Sequence, residues 1–259
     1  MTRAVSDDSL VILGARLAAE EASHGAALFG AGPVELTVGP VDQVLGRNVI
    51  AVLATEASMD GCLHLADLAG EHGALFMNAT CTDDALRGDK CRISTFHVAP
   101  SNSMLSDAID DARQHAGAPK PQGAVATAWD ASLERFGADT LNNRFRARFT
   151  ASMTGEAWCA WFAVKVLGEA SLRARSVEAR PIAAYLRGVT AQFDGHKGRP
   201  LSFRAWDNQL RQPLYVIATS GARRLIIESP LATHASVTSR DVLDQIGTKA
   251  ASTTCRFAP

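Results

Sequence analysis

Short solid runs of apolar residues alternate with helically spaced ones through the first hundred positions. Val49-Ile50-Ala51-Val52-Leu53 and Ala74-Leu75-Phe76-Met77 are such runs, the pattern of strands buried on both faces. Between them Leu65, Leu68 and Ala69 recur at helical spacing. A third, more polar strand is expected from Ile93 to Val98, with Phe96 and Val98 as its apolar positions and His97 between them. Strands alternating with helices predict an α/β fold with a doubly wound parallel sheet. Ligands of such sheets bind at the carboxyl ends of strands. Three polar tips fall there: Thr55 to Ser58, Asn78 to Asp84, and Pro100 to Ser103. Together they read as one lip of a small-molecule cleft.

The flanking pattern fills in the remaining elements. Ser6-Asp7-Asp8 is suited to cap a first helix carrying Leu10, Leu13, Leu17 and Ala18 on one face, up to about Ser23. Val34 to Val38 alternates as a strand, and a short helix follows near Val41 to Leu45. No strand precedes the first helix, so the sheet reads as clipped. Such an open edge invites pairing with a second copy of the chain. After a helix from Met104 to His115, the run from Gly117 to Gly123 is the best linker. It divides the chain into an expected first lobe, 1–116, carrying the cleft loops, and a second lobe, 123–259. In the second, a strand is expected from Gly123 to Trp129, and helices over Ala131–Phe136, Asp139–Phe149, Thr154–Ala174 and Val177–Leu186. Arg199–Arg204 and Leu214–Ala218 read as a hairpin, Arg224–Glu228 as a last strand, and Val242–Ile246 as a helical tail. The Thr154–Ala174 helix is apolar nearly all round, which predicts burial. Trp158, Trp161 and Phe162 are therefore assigned to the core rather than to a ligand platform. Asn142 to Arg148 reads as a solvated helix face.

Composition narrows the role. The 259 residues are 47% hydrophobic and carry a net charge of -1 with no basic block. A core of useful size is available, and nucleic-acid or membrane-surface binding gains no support. No apolar run reaches the length of a membrane span. The N-terminus has no apolar signal core. Five cysteines, Cys62, Cys81, Cys91, Cys159 and Cys255, form no CxxC pair, and their odd number leaves at least one outside any intramolecular pairing. No HExxH, GxSxG or strand-linked GxGxxG motif occurs. No metal or cofactor is expected, and the chain is read as a non-enzyme. Cys81 and His97 are the only nucleophile–imidazole pair that the pattern brings near one edge. His64 and His72 lie at non-ligand spacing on a helix.

Two runs are unusual: Asp83-Asp84-Ala85-Leu86-Arg87-Gly88 and Trp206-Asp207-Asn208-Gln209-Leu210-Arg211-Gln212-Pro213. With the segments TCTDDALRGDKCRISTFHVAPSNSML, NNRFRARFTASMTGEAWCAWFAVKVLGEA and GRPLSFRAWDNQLRQPLYV, they resemble type I periplasmic binding proteins. These serve branched-chain amino-acid and amide ABC transporters, and the likeness is nearest to the subgroup associated with pyrroloquinoline-quinone-dependent alcohol dehydrogenase systems. The resemblance implies a flavodoxin-like first lobe, a second lobe reduced relative to the family (123–259), a periplasmic location, an ABC permease as partner and a small polar solute as ligand. It places Ser58 in one ligand loop and Cys81 and Thr82 in the next. Ser58 and Thr82 would donate hydroxyls and Cys81 its backbone, with Asn78 opening that second loop. Thr82, Asp83 and Asp84 are equally suited to capping a helix alone. Cys91 and Cys255, each followed by arginine, are suited to a disulfide in an exported protein or to two free thiols. A non-transport interaction or sensory role on the same scaffold is the alternative reading.

Overall fold

The computed structural model describes residues 9–55, 58–115, 122–220, 223–230 and 242–257. Three parallel strands form the sheet that carries the lip, in the order β1 (Ala51–Leu53), β2 (Leu75–Asn78), β3 (Thr95–His97). Ala51 pairs with Leu75, and Met77 with Phe96. The crossover between β1 and β2 is α3 (Met59–Glu71), which buries Cys62, Ala66 and Ala69. His64 and His72 are exposed on it.

The first helix, α1 (Leu10–Leu28), lies against α6 (Gly155–Ala174). It buries Val11, Ile12, Leu13, Ala15, Leu17, Ala18 and Ala19, a wider face than the spacing of its leucines predicts. The reason is that it is enclosed by α6 and the central core together. At the crossing, Gly14 leaves room for the Ala157 carbonyl of α6. Trp161 Nε1 of α6 donates to Glu21 Oε2 of α1 at 2.9 Å. The expected cap residues Ser6, Asp7 and Asp8 lie outside the described residues, and Ser9 precedes the helix.

The Val34–Val38 segment is not a strand. Its Val34 N–H and carbonyl meet the Ser23 hydroxyl of α1. A strand needs a neighbouring ladder for its backbone groups, and here a helix side chain takes that place. A groove of about 600 Å³ runs between α1 and this segment, lined by Arg16, Ser23, His24 and Leu36 among others. The short helix α2 (Val41–Leu45) leads into β1.

After the lip come α4 (Asn102–His115) and β4 (Gln122–Thr127). A chain of helices follows: α5 (Ala138–Phe149), α6 and α7 (Ala179–Leu186). The expected helix over Ala131–Phe136 is instead a turn leading to a single 3-10 turn at Arg135–Gly137. Within α5, Asn142 is buried, in contrast to the solvated face expected there. Its side chain accepts from Trp129 Nε1 at 2.8 Å and donates to the Leu133 carbonyl. Trp158, Trp161 and Phe162 are all buried.

The expected hairpin is divided between two sheets. Beyond β5 (Phe193–Asp194), strand β6 (Pro200–Phe203) pairs with β7 (Leu210–Arg211), Phe203 opposite Leu210. The chain then passes Gln212 and Pro213, and β8 (Leu214–Ser220) joins a different sheet. Proline has no N–H to continue a ladder, so the pairing ends there. The second sheet is antiparallel, in the order β4-β8-β9, with β9 spanning Arg223–Ser229. Consecutive strands joined by so short a connection must run antiparallel. Met104, Ala108 and Ala112 of α4 pack on Ala126, Leu214 and Val216 of this sheet.

The largest core cluster draws Leu75, Met77, Phe96 and Val98 together with Trp129, Trp158, Phe162 and Phe203. This cluster draws residues from both expected lobes, 1–116 and 123–259. The 117–121 part of the expected linker lies outside the described residues. No described helix is long and apolar enough to cross a membrane.

Candidate functional site

The carboxyl ends of the parallel strands bring the three polar tips into contact. Ser58 caps α3, its hydroxyl accepting from the Gly61 N–H at 3.2 Å. Its carbonyl lies 3.6 Å from Cys81 Sγ in the next loop. A disulfide joins Cys81 to Cys62 of α3, fastening the two loops. The third tip is tied to the second: the Asn102 N–H donates to the Thr82 carbonyl at 2.7 Å, and the Ser103 hydroxyl donates to Asp84 Oδ1 at 2.6 Å. Glu56 and Ala57 of the first tip lie outside the described residues. Ser58 is exposed and Thr82 partly so, so both hydroxyl-bearing residues border solvent at one end of the sheet.

Asn78 and Cys81 sit deeper. Asn78 is fully buried, and its Oδ1 accepts from the N–H groups of Thr80 and Cys81 while its Nδ2 donates to the Cys81 carbonyl. These bonds fold the loop back on the end of β2. Nδ2 also meets His97 Nδ1 at 2.9 Å. Since the amide nitrogen is a donor, the imidazole nitrogen there accepts. Burial holds the His97 pKa well below its ordinary value, with Arg87 acting in the same direction. The Cys81–His97 pair considered from sequence lacks its thiol, because Cys81 Sγ is bonded to Cys62. The helix-capping role falls to Asp83, whose Oδ1 accepts from the Ala85 N–H at 2.9 Å.

Beneath the lip lies a buried polar network centred on Arg87, whose place in the fold the hydrophobic pattern does not foretell. Its Nη1 donates to the carbonyls of Cys81 (2.8 Å) and Asp83 (2.9 Å), Nη2 to the Ala99 carbonyl (2.7 Å), and Nε to Gln209 Oε1 (2.9 Å). One guanidinium thus spans the loop after β2, the loop after β3 and the start of β7. Burial lowers its pKa to about 10, offset in part by Asp207, Asp84 and Asp83. Gln209 Nε2 in turn donates to the His97 and Ala99 carbonyls. Asn208, at φ 52°, turns its side chain to the Thr95 carbonyl at 2.8 Å. These residues come from the two unusual sequence runs, which is the signal that marks them.

A second buried cation, Lys197, lies where the sheets meet. Its Nζ donates to the Ala128 carbonyl just past β4 (2.6 Å), to Gln212 Oε1 (2.8 Å) and to the Pro213 carbonyl before β8 (2.9 Å). Gln212 Nε2 donates to the Val98 carbonyl just past β3 at 2.7 Å.

The remaining cysteines fall elsewhere. Cys91 and Cys255 form a disulfide, with Cα atoms 5.6 Å apart, that fastens the tail beside the turn carrying Arg87. Cys159 is free and buried, and burial pushes its thiol up to about 12.

No protein-family model and no curated sequence matches the chain. Solved structures do. A periplasmic binding protein from Burkholderia mallei superposes with a TM-score of 0.68 at 12% identity, over 93% of each chain. The branched-chain amino-acid transporter substrate-binding protein LivJ of Streptococcus pneumoniae, in complex with isoleucine, gives 0.68 at 12% identity over 85% of this chain and 94% of that one. An ABC-transporter solute-binding protein of R. palustris, in complex with benzoate, gives 0.67 at 10% over 96% and 94%. At such low identity the likeness carries the fold: this chain has the α/β architecture of the type I periplasmic binding proteins.

Proposed function

We propose that the protein is the solute-binding component of an ABC-type uptake system and holds a small polar solute at the lip without chemistry. The observation that carries this reading is the meeting of three loop tips at the ends of parallel strands, with Ser58 and Thr82 at the solvent border. In the proposal the two hydroxyls, with backbone N–H groups of the loops, hold the solute's charged end. Asn78 and Cys81 shape the second loop around it. Hydroxyl and N–H donors at strand ends favour an anionic group. The isoleucine and benzoate of the structural relatives each present a carboxylate, which supports a carboxylate-bearing solute, an amino acid above all. A periplasmic location and an ABC permease partner belong to the same proposal. So does membership of the subgroup tied to quinoprotein alcohol dehydrogenases. The outer edge of β1, which no described strand pairs, is the surface proposed for a homo-oligomer.

Calorimetry and thermal-shift screening against amino acids, amides, benzoate and quinone cofactors test the reading. A ligand that raises the melting temperature by mass action, and whose effect is lost in Ser58→Ala and Thr82→Ala, supports it. Silence across the panel refutes it. One observation favours a second reading, an interaction protein on the same scaffold. The strand ends below the lip are already filled by the chain's own Arg87 and Lys197, and silence in the screen would select that reading.

A further inference from the structure

The geometry points to a recognition site for a primary ammonium group at the junction of the two sheets, which the chain fills from within with Lys197 as a tethered ligand. The Lys197 Nζ has three oxygen partners, at 2.6, 2.8 and 2.9 Å. An ammonium has three N–H donors and a neutral amine two, so the set matches the charged form. Two of the oxygens are backbone carbonyls fixed by strand ends. The third, Gln212 Oε1, is aimed by its own amide nitrogen, which is spent on the Val98 carbonyl. Two aromatic faces complete the enclosure: Nζ is 3.9 Å from the Trp158 ring centroid and 5.3 Å from that of Tyr215. Trp158 is itself fixed by stacking on Trp129 and by donating to the Gly195 carbonyl. Carbonyl oxygens on one side and π faces on the other are what an organic ammonium requires once water is excluded.

Burial lowers the pKa of the amine to about 7, opposed by Cys159 and Glu228, while the three acceptors and the rings work to retain its charge. Among the described residues no carboxylate forms an ion pair with Lys197, so the site is built for recognition by dipoles and rings. It is also selective by shape. A guanidinium is too broad and planar for three acceptors converging on one point. A quaternary ammonium has no proton to give them.

The consequence is structural. The end of β3 in the parallel sheet and the ends of β4 and β8 in the antiparallel sheet are joined through one cation supplied by the β5–β6 connection. In this chain the junction is held without an external solute, and the inference stands whether or not the lip binds one.

The test is chemical rescue. Lys197→Ala removes Cγ, Cδ, Cε and Nζ, the heavy atoms of n-propylammonium. Thermal unfolding of the full-length variant is followed with n-propylammonium, 1-propanol or tetramethylammonium at matched ionic strength. The expected result is a saturable rise in melting temperature with n-propylammonium, at concentrations about tenfold or more below any effect of 1-propanol. Neither tetramethylammonium nor the wild-type protein should show it. Where the variant does not fold unaided, its refolding yield from urea is measured with the same three additives. Recovery with the primary amine alone supports the inference. Equal response to the alcohol, or none to any additive, overturns it, because a lysine that merely fills space has no preference for charge.

Discussion

Arg87→Met tests the reasoning about the strand-end network most directly. The side chain is buried and makes four hydrogen bonds, to Gln209 Oε1 and to the carbonyls of Cys81, Asp83 and Ala99. Bonds from a charged donor are worth about 1.5 kcal/mol each at the low end, or roughly 6 kcal/mol for the set. Against this stands the cost of burying the charge. A fall from 12.5 to about 10 corresponds to roughly 3 kcal/mol, on the scale of about 1.36 kcal/mol per unit, and methionine does not incur it. Part of that cost is already contained in the net hydrogen-bond values, so this figure is an upper bound on the relief. Two carbonyls keep a second donor, Cys81 from Asn78 and Ala99 from Gln209. Gln209 Oε1 loses the partner it has in the network. The balance is a loss of about 3 kcal/mol or somewhat more, within the roughly 5–15 kcal/mol that folded domains possess. Urea unfolding followed by tryptophan fluorescence measures it, with an unchanged slope showing that only stability moved. Arg87→Lys should recover the smaller part, since an ammonium cannot reach three directions of a planar fork. A loss below about 1 kcal/mol for Arg87→Met would refute the claim that this guanidinium fastens the loops.

Two further outcomes are expected. Gly14→Ala should destabilise despite the roughly 1 kcal/mol that alanine gains over glycine within a helix, because its methyl overlaps the Ala157 carbonyl of α6. Forcing the two helices apart costs about 1–3 kcal/mol beyond that gain, and a melting temperature equal to or above wild type would count against the close crossing. Thiol titration of the untreated protein should find none reactive in the native state and one after denaturation, namely Cys159, which is buried with its thiol pushed up to about 12. More than one thiol in urea would break the assigned pairs Cys62–Cys81 and Cys91–Cys255.

The parts legible in sequence are those where a single physical cause sets the pattern. β2 is buried along its whole length, β1 is half-buried, and the tryptophan-rich α6 is buried over most of its length, so their residues read as largely apolar runs. The three polar tips followed from where such strands must end. The Val34–Val38 alternation was misleading because a strand depends on a neighbour that local pattern does not reveal, and Ser23 answers its backbone instead. The second half of the expected hairpin was misassigned since Pro213 ends one ladder and the next apolar run pairs elsewhere. The buried polar groups were least legible. Arginine, lysine, asparagine and glutamine read as surface by default, and the partners that satisfy Arg87, Asn142 and Lys197 are mostly backbone carbonyls, which leave no mark in composition. Only the unusual wording of the two runs, around Arg87 and around Gln209, pointed to that region.

The Cys91–Cys255 bond has a mechanical side. It closes a covalent ring across a sequence separation of 164, within which lie β3, both later sheets and helices α4 to α7. Tension applied between the two ends of the polypeptide would travel along the residues before Cys91, cross the sulfur bridge and leave by the last few. The ring would carry none of that load. A pulling experiment should therefore extend only the stretch ahead of Cys91, less the short loop closed by Cys62–Cys81, under oxidising conditions, and release the remainder once a reductant opens both rings.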